Sequence, residues 1–440
     1  MKKQNLYLGK MSQNLLYFLR KRVPFRGILD QIAEQSAAAF SLQNLSFDTR
    51  NNPVVRIRRS SDDLERDFTV REIDNGFLLF WVNEDVVIFQ DDYTSNVIGG
   101  GNLNITYNTS DFLAGSRSVQ FTGNGATSVA FSNTFYRGNY LQGGLTYKFR
   151  VGVKRLSGDS SSRLSVREYA TSNAILFDDL PVDEWTYIEG EIIATDRGSR
   201  FAIGGETGVD FRVDDFEITQ LTANGHVRTW YDSSENARHA TQTAALSQPL
   251  LVENGELVVE NGKPTIKFDG VDDCLELGSP FGSLPNLTPL TVISKVRRGN
   301  VDVAGRIFSI GHGSGTAQTR GFSFGHRQAT SPANAMQVFF ADTESQASLI
   351  PSSMALQQGE AAIYGISREW ALKNDTVSTA TISNTFPWNN AFSTDMPSRI
   401  GAAQGFTTPQ VFFTGSISSV IFWPYQLTTE QALKVSKILS

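Results

Sequence analysis

The pattern of apolar and polar positions changes character several times along the chain. Leu8, Met11, Leu15, Phe18 and Leu19 recur near helical spacing, which predicts a short amphipathic helix in the N-terminal segment. From Gly27 the stretch GILDQIAEQSAAAFSLQNL carries Ile28, Ile32, Ala37 and Phe40 among good helix formers, and a second helix is expected there. After the turn signal DTRNNP the period shortens. Val55 and Ile57 now alternate with Arg56 and Arg58, as in a half-buried strand. Arg56, Arg58 and Arg59 suggest a phosphate site, but Asp62, Asp63, Glu65 and Asp67 follow at once. A solvated strand edge with local ion pairs is the expectation.

From about Asp85 to Gln220 the reading is all β. SVQFTG, TYKFRVGV, RLSVREY, WTYIEGEII, RFAIGG and FRVDDFEI are short runs separated by Gly, Ser, Asn and Asp, at a spacing that suits one jelly-roll sandwich. Residues 226 to 440 are again β-rich.

Composition narrows the class. A chain of 440 residues with 40% hydrophobic and 11% aromatic content has material for more than one core. The single cysteine, Cys274, excludes an internal disulfide framework and a cysteine-based zinc cluster. A net charge of -6 gives no sign of nucleic-acid binding by the whole chain. No apolar run reaches bilayer-spanning length, and the N-terminus lacks the apolar core and small-residue cleavage site of a signal peptide. Synthesis and retention in a cytosol, or release by lysis, is the expectation. Charge is unevenly spread: residues 1–29 hold Lys2, Lys3, Lys10, Arg20, Lys21, Arg22 and Arg26 and no acid. A basic docking arm over residues 1–26, a capping helix on the first domain, and a membrane-surface segment are the three readings of this stretch.

The order GLTYKFRVGV, LPVDEWTYIEGEI, FRVDDFEITQL resembles the jelly-roll carbohydrate-binding modules appended to glycan-degrading enzymes, over about a third of the chain. In such modules an Asp of the closing strand often helps hold a structural calcium, which the resemblance places at Asp214 or Asp215. Calcium takes six to eight oxygen ligands, and the residues themselves equally allow a solvated turn.

HVRTWYDSSENARHATQ, then QPLLVENGELVVENGKPTIKFDGVDDCLEL, then SRIGAAQGFTTPQVFFTGSISSVIFWPYQL resembles the concanavalin A-like or laminin-G-like sandwich. In that fold a short helix follows the last core strand, here TTEQALKVSKIL. More closely, AAAFSL, PVVRIRRSSDD, TWYDSSENARHATQ and ENGKPTIKFDG look like the catalytic domain of fungal-type α-L-arabinofuranosidase B. Bacteriophage virion proteins carry the same set without being known as enzymes. In those relatives the RRSSD segment lies shortly before WYD, whereas here residues 77–225 intervene. The expected arrangement is therefore mainly β, two β-sandwich jelly-roll domains with a short helical N-terminal segment. Residues 27–76 pack with 222–440 as a discontinuous domain, and 86–221 form an inserted jelly roll.

Retaining glycosidases need a nucleophilic carboxylate and a carboxylic acid roughly 5–5.5 Å apart. The family's nucleophile follows Met in a strand of the form Met-Glu-x-x-aromatic. The matching stretch is Met336-Gln337-Val338-Phe339-Phe340, and an amide cannot form the glycosyl ester. The family's acid follows an Ile-Gly-Gly turn. Here Arg399-Ile400-Gly401-Ala402-Ala403-Gln404 has no carboxylate, with Ala403 at the degenerate position. The fold rests on apolar and glycine positions and survives this loss; the activity does not.

Trp185, Tyr187, Trp230 and Tyr231 are the candidates for stacking on sugar rings, with core packing as the alternative for each. Asp232 and Asp269 are expected to fix turns or strand ends. His226, His239, His312 and His326 lack metal-ligand spacing, and GHGSGT at 311–316 lacks the Lys-Ser/Thr ending of a phosphate loop. The resemblance implies a non-enzymatic bacteriophage virion protein, of the tail or head fibre or decoration type, with a glycoside hydrolase of arabinofuranosidase type using other carboxylates and a purely architectural virion protein as the alternatives. It would dock through its arm onto other virion proteins, form homo-oligomers and present glycan-binding sandwiches to host surface glycans, with no nucleic-acid partner, no membrane insertion and no cofactor beyond the calcium considered above.

Overall fold

The computed structural model describes residues 26–91, 103–123, 129–130, 141–157, 164–168, 174–195, 201–205, 210–277, 290–299, 304–310, 321–326, 336–341, 345–349, 354–367, 369–378, 397–403 and 411–440. The arm at 1–25, His312 with its GHGSGT turn, and Gln404 lie outside them.

The fold is mainly β, with two sandwich cores. The outer one draws on both ends of the described chain. Strand β1 (Ala38–Ser41) lies antiparallel to Thr414–Trp423 in the register Ala38↔Phe422 to Ser41↔Ser419. Strand β2 (Val55–Arg59) lies between Gly225–Trp230 and β3 (Glu65–Phe68). Further antiparallel pairings from Ala240 to Trp423 close this assembly on itself. One apolar core joins Phe40, Val55, Ile57 and Phe68 to Trp230, Ile266, Phe308 and Phe422.

The second expected helix is corrected here: the described residues of 27–45 form turns and then β1. Every residue of β1 is buried. Ala38 and Phe40 face the main core, while Ala39 joins Ile28, Ile32, Trp423 and Val435 in a second cluster beneath the C-terminal helix. A strand buried on both faces shows no alternation, and its Ala-rich composition then mimics a helix. Pairing with Thr414–Trp423 overrides the local propensity.

The C-terminal helix Thr429–Leu439 begins with a reciprocal capping box between Thr428 and Gln431. It ends on the buried Lys295, whose Nζ donates to the Leu439 carbonyl at 2.7 Å, satisfying a group that the helix leaves open. β2 shows the expected alternation, with Val55, Ile57 and Arg59 buried. Its arginines make the expected local pairs, Arg56–Asp67, Arg58–Asp63 and Arg59–Asp62 at 2.6–2.7 Å. The strand is not an edge, however, since it has a partner on each side.

The outer domain also reaches past residue 76. Helix Phe77–Val82 contributes Leu78 and Val82 to the outer core, so the boundary falls near residue 85. The inserted sandwich then starts at β4 (Val86–Asp91) and includes β5 (Leu103–Asn108), β6 (Ser118–Gly123), β7 (Val129–Ala130), β8 (Thr146–Ser157), β9 (Leu164–Glu168), β10 (Ala174–Phe177), β11 (Trp185–Ile193), β12 (Phe201–Gly205) and β13 (Asp210–Gln220). One sheet runs β11-β8-β13-β6-β5 with β4 also on β13, and the other runs β10-β9-β12-β7. Their shared core includes Phe121, Phe149, Val151, Val166, Ile203 and Phe211. First and last strands pair, Val86↔Gln220, and the Ala223 amide donates to Asn83 Oδ1 at 3.2 Å, so the insert enters and leaves at one place. No helix among the described residues is long and apolar enough to cross a membrane.

Candidate functional site

In the outer sandwich, four consecutive strands run from Arg399–Ile400, which Ala403 follows, through Gly305–Ile310 and Gly321–His326 to Met336–Ala341, which carries Gln337. Gln337 stands in register with Gly325 and Leu349. Ala403 is fully buried just after Arg399–Ile400, and the neighbouring Ala402 carbonyl accepts from Ser309 Oγ at 2.8 Å.

Trp230 is corrected from a stacking candidate to a core residue. It has no exposed surface and its ring packs 5.9 Å from Phe40. Tyr231 is held by structure-building contacts: its hydroxyl donates to Asp67 Oδ1 at 2.7 Å and its ring meets His239 edge-on. Burial first, and then the Asp67 charge, pushes its phenol up to about 12. Asp232 fixes a strand end, as expected. Its Oδ1 accepts from the Ala39 and Ser234 amides and its Oδ2 from the Arg238 amide, each at 2.8–2.9 Å.

Asp269 fixes a turn, its Oδ1 accepting from the amides of Val271, Asp272 and Asp273. Asp269, Asp272 and Asp273 also cluster within ligand reach of one another, but their hydrogen bonds are those of a self-capped turn. Asp273 is buried, and burial together with Asp269 raises its carboxyl to about 7. Between the unfolded value near 3.8 and about 7, the folded form holds one more proton than the unfolded form. Asp273 therefore subtracts stability as pH rises, by about 1.4 kcal/mol per unit across that window. Asp273→Asn is expected to unfold at a higher temperature than the parent at pH 8, with the difference vanishing near pH 4. Parallel melting curves of the two proteins over that range would refute the assignment.

The outward face of the β11-β8-β13-β6 sheet brings together the other two aromatic candidates. Strand alternation sends Phe149, Val151 and Val153 inward and Lys148, Arg150 and Lys154 outward. The opposite strand sets Trp185 beside Lys154, Tyr187 beside Gly152 and Glu189 beside Arg150. Tyr187 is 41% exposed. The Arg150 guanidinium lies 3.5 Å from its ring centroid, and its hydroxyl donates to Asp215 Oδ2 at 2.7 Å. Its phenol is pushed up by burial and by Asp215. Trp185 Nε1 donates to Asp111 Oδ1 at 2.8 Å. Asp111 also receives Lys154 at 3.0 Å and pairs with Arg212. Two aromatic rings are thus locked at their polar ends, leaving ring surface at the face.

The segment between β5 and β6 lies across this face. Leu113 rests on Gly152, where a Cβ would fall 2.2 Å from Leu113 Cδ1, so glycine is what lets the segment approach. Asp214 is the clamp beneath it. This fully buried carboxylate accepts from the Leu113 and Ala114 amides through Oδ2 and from the Asp215 amide through Oδ1. Burial raises its pKa above the ordinary carboxylate value.

The residues do not fit the calcium considered for Asp214 and Asp215. Asp214 is surrounded by N–H donors, and Asp215 by Tyr187 and the Arg150 guanidinium at 3.3 Å. N–H donors and a cation are the wrong company for a second cation. The bend is instead made by Asp215 at φ 47° and a register break between Asp214 and Glu217. Sequence reading missed Asp111, Arg150, Lys154 and Arg212. The alternating charges of TYKFRVGVKR and FRVDD were the available signal for three of them. Asp111 sits in a loop and gave none.

No protein-family model matches this chain, and no curated protein is similar to it. Among solved structures, it is similar to the CBM22-1 xylan-binding domain from Paenibacillus barcinonensis at 15% identity, covering 31% of this chain and 96% of that one, TM-score 0.24. It is similar to the Ruminococcus gnavus IT-sialidase CBM40 bound to alpha2,3 sialyllactose at 14% identity, covering 40% and 96%, TM-score 0.31. It is also similar to the CBM22-1-GH10 modules of a Clostridium thermocellum endo-1,4-beta-D-xylanase complexed with xylohexaose at 25% identity, covering 31% and 28%, TM-score 0.25.

Proposed function

We propose that the inserted sandwich binds a glycan on the face around Tyr187 and Trp185, and that the chain is a non-enzymatic bacteriophage virion protein of the fibre or decoration type. The observation that carries the binding half is the exposed Tyr187 ring, backed by Arg150 and tied to Asp215. A ring already fixed in place loses little freedom when a sugar stacks on it. The virion half is supported by the motif set shared with phage virion proteins, by the acid-free basic arm, and by Gln337 and Ala403 standing where the resembling hydrolases carry carboxylates. In this reading the arm docks on other virion proteins, and repetition on the particle converts weak single contacts with host glycans into avidity.

The test is glycan-array screening followed by titration calorimetry. Tyr187→Ala is expected to weaken binding at least tenfold, about 1.4 kcal/mol, with the melting temperature little changed. Undiminished binding by that variant would remove the face from consideration. Turnover of an aryl-arabinofuranoside by the parent protein would overturn the non-enzymatic half.

A further inference from the structure

The charge of the Tyr187 face selects among glycans. Its described outward side chains include four cations: Lys148, Arg150, Lys154 and Arg212. Besides the buried Asp214, the outward strand positions and the loop residues paired with them supply seven carboxylates: Asp111, Asp183, Glu189, Glu191, Asp210, Asp215 and Glu217. Four against seven leaves a formal charge of -3.

The cations are also already engaged. Lys148 lies 2.8 Å from Glu189, and Arg150 lies 3.3 Å from Asp215 and 3.6 Å from Glu189. Lys154 lies 3.0 Å from both Asp111 and Asp183, and Arg212 is bonded to Asp111. A ligand carboxylate or sulfate entering this face would meet cations neutralised by neighbours and a surplus of like charge. A hydroxyl-rich, uncharged chain meets the opposite situation. Ionised carboxylates keep acceptor lone pairs beyond those used in their ion pairs, and hydroxyl groups can donate to them. The side-chain amide of Gln120, which accepts from Arg212 Nε at 3.2 Å, adds a further acceptor.

We infer that the ligand of this face is a neutral glycan, and that glycans carrying uronic acids, sialic acids or sulfate are excluded by the carboxylate surplus. This inference rests on the glycan-binding reading given above.

The test titrates the full chain with neutral oligosaccharides and with counterparts of equal length bearing uronic or sialic acid, at about 20 mM and about 300 mM salt, spanning weak to strong screening. Neutral ligands are expected to bind at least tenfold more tightly at low salt, with the gap narrowing at high salt and with binding lost in Tyr187→Ala. Preference for the acidic ligands, still lost in Tyr187→Ala, would overturn the neutral-ligand inference and leave the binding face standing. Binding of no glycan, or binding untouched by Tyr187→Ala, would overturn the face itself and the inference with it.

Discussion

Residues 222–440 expressed alone are expected to be unfolded, whereas the same residues joined to 27–85 through a short Gly-Ser linker in place of 86–221 are expected to fold. Without 27–85, the strand Thr414–Trp423 loses its four-residue register with β1, and Gly225–Trp230 loses β2. The core loses Phe40, Val55, Ile57, Phe68, Val70, Leu78 and Val82, all buried. Trp230 is left facing the space that Phe40 fills. At about 1.5–3 kcal/mol for each large apolar side chain, this removes on the order of 10–20 kcal/mol, as much as a whole domain usually has to spare. The joint belongs at residue 85 and not at 76, because Leu78 and Val82 sit in the outer core. Circular dichroism melts of the two proteins decide the matter; equal midpoints would show that 222–440 is a domain by itself.

Asp214→Ala is expected to cost the inserted sandwich about 3 kcal/mol or more and to abolish the glycan binding proposed for its face. The substitution removes a charged acceptor from three amides, those of Leu113, Ala114 and Asp215, and hydrogen bonds to charged groups contribute about 1.5–3 kcal/mol each before relaxation. The freed segment carries Asp111 away from Trp185, Lys154 and Arg212. Asp215→Ala is the informative companion. It leaves the segment clamped but unties Tyr187, so it should weaken binding with a much smaller loss of stability. Urea melts and calorimetric titrations on the two variants read out both effects. If Asp214→Ala melts like the parent, the clamp is not what holds the segment down.

Strands with one wet face were legible in the sequence. In β2, β8 and β13 most inward residues are apolar, the buried Arg59, Arg155, Asp214 and Gln220 excepted, and most outward ones are charged, and period-two alternation reports that directly. β1 reads as a helix because it has no wet face. Trp230 reads equally as a platform because an aromatic residue gives the same sequence signal inside or outside. Tyr187 and Trp185 were found by residue type and then placed together by the β8–β11 register. Asp111 was invisible, because its pairing with Arg212 spans 101 positions and depends on a loop whose path is set by Asp214.

The interruption of the outer sandwich has a consequence for the nascent chain. β1 leaves the ribosome 378 positions ahead of its partner, counted from Ser41 to Ser419, which is roughly 20–75 s of synthesis. The insert completes itself far sooner, once Gln220 meets Val86. Its folding draws Asn83 to Ala223, 140 positions apart. A flexible connection of that length would charge the outer domain about 4 kcal/mol in closure entropy. The inner sandwich thus acts as a scaffold in time: it removes that entropy cost before the last strand is made, and a mutation that slows it should appear as misfolding of a domain in which it takes no part.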